Sequence, residues 1–161
     1  MKHFPKITLL LLLSGLGSGV LAQSAFDKMT NEKMGKILHR ESKEVEGESG
    51  RWQVAYLERM LYIITDENAN RMRVMTPIIE EAKMAEDSMK KLLEANFDRA
   101  LDAKYSLYEG YVWSVFTHPL SELTVEQFKD AMKQVATLAD RYGSTYSSTD
   151  FVFGGQEQSE N

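Results

Sequence analysis

Lys104-Tyr105-Ser106-Leu107-Tyr108-Glu109-Gly110-Tyr111-Val112-Trp113-Ser114-Val115-Phe116 is the stretch that decides the fold class. Two runs rich in aromatic and β-branched residues flank Glu109-Gly110, a pair suited to the positive φ of a tight turn, so the stretch reads as a β-hairpin. Upstream, Arg51-Trp52-Gln53-Val54-Ala55-Tyr56 alternates, with Trp52, Val54 and Tyr56 on one face. Met60-Leu61-Tyr62-Ile63-Ile64-Thr65 is apolar on both faces, as in a strand covered on two sides. Asp66-Glu67-Asn68-Ala69-Asn70 is turn-prone and leads into Arg71-Met72-Arg73-Val74-Met75-Thr76, with Met72 and Val74 inward and Pro77 closing the strand. Glu58-Arg59 is a poor tight-turn pair, so the first two strands are expected to form one bent element.

Helices separate these groups. From Ala25 to Ser42, Met29, Met34, Ile37 and Leu38 share a stripe, with Thr30 or Asp27 as cap and Gly35 weakening the pattern. The charged Glu41–Gly50 stretch reads as a solvated loop. Glu80 to Asn96 reads as the middle helix, with Ala85, Met89, Leu92, Leu93 and Asn96 lining its buried side. Thr124-Val125-Glu126-Gln127 is a capping box that opens a last helix. Its buried stripe is Phe128, Met132, Val135, Leu138 or Ala139, and Tyr142, and Gly143 supplies the stop. The expected fold is therefore α+β, an antiparallel sheet in the order α-βββ-α-ββ-α.

Residues 1–22 have the order of a cleavable signal peptide. Lys2 and Lys6 precede an apolar block from Ile7 to Leu13, and Val20-Leu21-Ala22 suits cleavage after Ala22. The block is far shorter than the about 20 apolar residues that span a bilayer, so no stable membrane insertion is expected after cleavage. The location expected is periplasmic or extracellular. Residues 23–146 are expected to form a single domain and residues 147–161 a flexible tail, with Phe151-Val152-Phe153 as a short anchor. The chain carries a net charge of −5, and loss of Lys2 and Lys6 takes it to −7, which argues against nucleic acid as a partner. It has no cysteine, which excludes disulfides, thiolate metal sites and thiol catalysis.

No catalytic, cofactor or metal residue stands out. His39 sits near a helix end, where a cationic side chain suits the dipole, and His118-Pro119 fits a turn. Neither has a partner at zinc-ligand spacing. The acids at 66–70 lack the glycine and terminal glutamate of a calcium loop. What remains is a surplus of large apolar side chains on short strands. Either helices cover both faces of the sheet, or part of it contacts a second subunit or an extended peptide. Tyr62, Met72, Met75, Trp113 and Phe116 are the candidate partner-binding residues on the second view.

The layout resembles the type III secretion chaperone-like sandwich and the YbjN-type proteins, described as bacterial sensory-transduction regulators. The likeness rests on the Trp52-containing strand, Arg71-Met72-Arg73-Val74 before Thr76-Pro77-Ile78, Leu93-Glu94-Ala95-Asn96, and Ala100-Leu101-Asp102-Ala103-Lys104-Tyr105. Glu109-Gly110 before Val112-Trp113 and Leu120-Ser121-Glu122-Leu123-Thr124 complete it, over roughly residues 27 to 146. The resemblance implies a non-catalytic, often dimeric domain that holds an extended peptide without ATP. Secretion chaperones are cytosolic whereas this chain begins with an export signal, so no secretion-system client is carried over. The expectation is a non-enzymatic protein-binding domain, homodimeric, with no cofactor. The alternative is a periplasmic small-ligand or lipid carrier with an aromatic-lined cleft between sheet and helix.

Overall fold

The computed structural model describes residues 28–150; the expected signal peptide and the expected anchor at 151–153 lie outside them. The elements are α1 (Asn31–Glu41), β1 (Val45–Glu48), β2 (Arg51–Tyr56), β3 (Arg59–Asp66), β4 (Arg71–Glu80), a 3-10 turn at Glu81–Lys83, α2 (Ser88–Asp98), β5 (Lys104–Tyr108), β6 (Tyr111–His118) and α3 (Val125–Asp140). The strands form one sheet in the order β1-β2-β3-β4-β6-β5, antiparallel throughout. The fold is α+β, as expected.

The locally encoded features appear where the residues place them. The Thr30 hydroxyl accepts from the Lys33 amide at the start of α1. Thr124 and Gln127 form the reciprocal capping box of α3, satisfying two otherwise orphaned helix-end donors. Glu109 and Gly110 both take positive φ in the β5–β6 turn.

Four expectations are corrected. The solvated loop contains an edge strand, β1, paired with β2 from Val45↔Val54 to Glu48↔Arg51. A Cβ on Gly47 of β1 would lie 2.2 Å from the Arg51 carbonyl oxygen, so only glycine allows this approach. The first two predicted strands are a tight hairpin rather than one bent element: Leu57 and Glu58 both adopt left-handed φ, at 47° and 60°. β4 runs through Pro77 to Glu80, its register against β6 shifting between Pro77 and Ile79. Pro77 has no N–H for β3, and the Met60 carbonyl accepts instead from the Thr76 hydroxyl at 2.9 Å. Because β6 holds residues 77–80 as strand, α2 begins at Ser88, eight residues later than Glu80.

One face of the sheet carries the core. Trp52, Val54, Leu61, Ile63, Met72, Val74, Val112 and Phe116 are buried together with Met34, Ile37 and Leu38 of α1, Leu92 and Ala95 of α2, and Phe128, Met132, Val135 and Leu138 of α3. Buried Gln134 ties α3 to the start of β5, its side-chain oxygen accepting from the Asp102 and Ala103 amides at 2.9 and 3.2 Å. The Tyr105 hydroxyl donates to the Leu138 carbonyl at 3.0 Å. Ser147 and Ser148 are buried, and the Ser148 hydroxyl accepts from the Leu101 amide, so packed structure continues past residue 146.

Candidate partner-binding face

Strand alternation sends every second residue away from the helices. The registers then build three rows on the opposite face. Gln53, Tyr62, Met75 and Val115 are successive cross-strand neighbours. On one side Ala55 stands opposite Met60 and Pro77 opposite Trp113; on the other run Arg51, Ile64, Arg73 and Thr117. None of these residues is buried, and among the described residues no helix lies over them. The expectation that helices might cover both faces therefore does not hold for the described residues. The physical reason is that their buried side chains all belong to one core, on one side of the sheet.

This open face is apolar at its centre. The Tyr62 and Trp113 rings meet edge to face, with centroids 6.3 Å apart. Trp113 Nε1 donates to the Tyr108 carbonyl at 3.1 Å, so the indole's one polar group is satisfied within the protomer. Met60 and Ile64 are exposed, and Met75 and Val115 half-buried. Fully covering an exposed side chain of this size contributes roughly 1.5–3 kcal/mol, and because these side chains are already partly covered within the protomer, each offers a partner a fraction of that.

The five sequence-predicted contact residues divide between the faces. Tyr62, Met75 and Trp113 stand on the open face. Met72 and Phe116 do not: they are 1% and 6% exposed and belong to the core. Met72 and Met75 are three residues apart in one strand, as are Trp113 and Phe116, and an odd offset in a strand puts the two on opposite sides. Met60, Ile64 and Val115 are its other large apolar side chains, beside Arg51, Gln53, Arg73 and Thr117.

The polar groups nearby have structural work. Lys104, at the end of the Val115 row, turns its ammonium to the Asn96 and Ala100 carbonyls at 2.6 and 2.7 Å. Desolvation pushes its pKa below the ordinary lysine value. Burial raises the pKa of Tyr105, which packs edge to face with Tyr142 and Tyr146 on the core side. His118 Nδ1 lies 2.7 Å from the Pro119 carbonyl oxygen and its ring stacks on Phe116. Among the described residues no group of three or more histidines and acids is placed to hold a metal, and no helix is long and apolar enough to cross a membrane. A cavity of about 260 Å³ lies between α2 and the C-terminal segment. Its lining of Lys91, Glu94, Asp98, Arg99 and Ser144 beside Ala95 and Tyr146 is unlike the aromatic cleft of a lipid carrier.

No protein-family model and no curated protein sequence matches the chain. Solved structures do share its fold. A chain of the HopA1–SchA chaperone–effector complex superimposes with a TM-score of 0.53 at 13% identity, covering 70% of this chain and 94% of that one. A chain of the ExsC–ExsE complex does so with a TM-score of 0.53 at 14% identity, covering 68% and 90%. At such identities the likeness is one of fold, and it makes this sandwich chaperone-like.

Proposed function

We propose that this is an exported, non-enzymatic protein-binding domain, chaperone-like or regulatory, which works as a homodimer and holds a polypeptide partner on the open face of its sheet. The observation that carries this reading is the apolar band of Met60, Tyr62, Ile64, Met75, Trp113 and Val115, exposed or half-buried, on the side of the sheet that no helix of the described residues covers. Clustered apolar side chains left partly open and rimmed by polar ones, here Arg51, Gln53 and Arg73, are a feature of interaction sites. The fold supports the reading too, since the two solved neighbours come from complexes between proteins. Export rests on the basic, apolar, small-residue order of residues 1–22.

Native mass spectrometry of freshly purified protein tests it. A bound polypeptide that is lost in Tyr62→Glu and Trp113→Glu, but kept in a substitution on the outer side of α3 such as Lys133→Glu, supports the reading. A retained lipid or metabolite would instead support the carrier, and a polypeptide retained by both open-face variants would place the site elsewhere.

A further inference from the structure

The open face changes character along its strands. Its rows are two residues apart on each strand, so successive rows lie about 6.7 Å apart. The row with Pro77 and Trp113 and the row with Tyr62 and Met75 are apolar at their centres. The third row sets Ile64 between Arg51 and Arg73, whose strands run about 10 Å apart. Both arginines are exposed. Arg59, Arg71, Arg99 and Arg141 each donate to a main-chain carbonyl. Arg51 and Arg73 do not, and among the described residues neither side chain has a hydrogen bond or an ion pair. Arg40, at the end of α1, is the other described arginine in that state. Glu48 stands opposite Arg51 on edge strand β1 without pairing to it, and Asp66 uses Oδ1 to accept from the Ala69 amide in its own turn at 2.8 Å.

We infer that the occupant of this face is an extended polypeptide segment with apolar side chains at two alternate positions and a carboxylate at the next, held by Arg51 and Arg73. The inference rests on the polypeptide-binding reading above and names the partner's chemistry. Alternate residues of an extended chain are also about 6.7 Å apart, so a segment laid along β3 and β4 meets the rows in step. Its first apolar side chain covers Pro77 and Trp113, and its second covers Tyr62 and Met75. Its carboxylate then comes over Ile64, between the two arginines. Arginine suits that place. Its planar fork takes a carboxylate through two parallel bonds, and its weak hydration lowers the cost of closing it against apolar surface.

The net charge of −5 works against an acidic partner at long range. That field is screened beyond about 8 Å at physiological ionic strength, so the charges next to the docked segment decide. Beside Ile64 these are the two arginines. Glu46 and Glu48 share the open face from β1, standing opposite Gln53 and Arg51. They keep an acidic segment over β3 and β4 and away from that edge. The same two acids disfavour an anionic lipid surface, which would press on the whole face at once.

Fluorescence anisotropy with two labelled probe peptides tests the inference. Both carry leucine at two alternate positions with serine between; at the next alternate position one has glutamate and the other glutamine. The glutamate probe is expected to bind about 10-fold more tightly at low salt, and its advantage to shrink to about 2-fold or less at 1 M salt. Arg51→Gln with Arg73→Gln should erase the preference and leave the glutamine probe within about 2-fold of its wild-type affinity. Because both arginines are exposed, circular dichroism should show an unchanged fold. Arg73→Glu should reverse the selection, favouring a lysine probe over the glutamate one. Equal binding of the two probes, a preference that survives the double variant, or no binding of either overturns the inference. So does recruitment to phosphatidylglycerol vesicles through the same arginines without a preference between probes, which would make the ligand a membrane. Tyr62→Ala separates this inference from the reading it rests on. Equal binding of both probes that is lost in Tyr62→Ala removes the charge selection and leaves the open-face reading standing. A glutamate preference indifferent to Tyr62→Ala keeps the arginine site and removes the apolar grip.

Discussion

Replacing Gln134 with leucine should destabilise the protein through two main-chain amides that no longer have an acceptor. Gln134 is 1% exposed, in the middle of α3. Its side-chain oxygen takes the amides of Asp102 and Ala103 at 2.9 and 3.2 Å, and its nitrogen donates to Asp130 at 2.6 Å and more weakly to Asp102 at 3.4 Å. An orphaned buried donor costs about 1–3 kcal/mol. Ala103 is fully buried and bears the larger share, whereas Asp102 is exposed and its amide can turn to water. Leucine recovers about 1 kcal/mol by burying apolar surface, so a net loss of about 1–3 kcal/mol is expected. Gln134→Glu keeps the acceptor but sets a second carboxylate against Asp130, so its loss should be larger at pH 7 and shrink as protonation removes the repulsion at pH 4. Urea unfolding followed by circular dichroism reads both. A Gln134→Leu protein at or above wild-type stability would refute the reasoning, because the two amides would then be satisfied some other way.

Three further outcomes are expected. Leu57 and Glu58 hold left-handed φ in a two-residue turn, so Leu57→Asn with Glu58→Gly should raise the urea midpoint by the equivalent of about 1 kcal/mol; a lower midpoint would contradict the turn assignment. Met72→Ala should cost about 2–5 kcal/mol and Met75→Ala less than about 1 kcal/mol in the same assay, since only the first empties the core; equal losses would contradict the facing of β4. Burial raises the Tyr105 pKa, so the folded state keeps a proton that the unfolded chain releases near pH 10. The associated stability is present below pH 10 and is lost as pH climbs above it. Tyr105→Phe should be about 1 kcal/mol less stable at pH 7, having lost the bond to Leu138, and should show a flatter decline between pH 9 and 11 than wild type. Parallel slopes would contradict this.

What could be read from residues alone is what is decided locally. Glu109-Gly110, the Thr30 cap and the Thr124–Gln127 box each specify their conformation within a few residues, and each appears in the structure. β1 was hidden because a charged edge strand with an interior glycine draws its stability from β2 rather than from its own composition. Residues 77–80 were misassigned for the same kind of reason: proline argues against a strand, but β6 supplies pairing on the side where proline does not matter. Within the candidate face, alternation separates Tyr62, Met75 and Trp113 from Met72 and Phe116 by parity alone; only the packing of helices on one side tells which set is open. Met89 and Leu93 read as core from the sequence because an apolar helical repeat is usually buried, and nothing local distinguishes residues of such a repeat that face outward.

The claim that the open face grips a polypeptide is tested most directly by crosslinking from that face in cells. A photoreactive side chain placed at Met60 or Ile64 should give protease-sensitive adducts to a distinct polypeptide, while the same group at Lys133 on α3 should give none. Adducts from all three positions alike, adducts to lipid alone, or none from the sheet would contradict it.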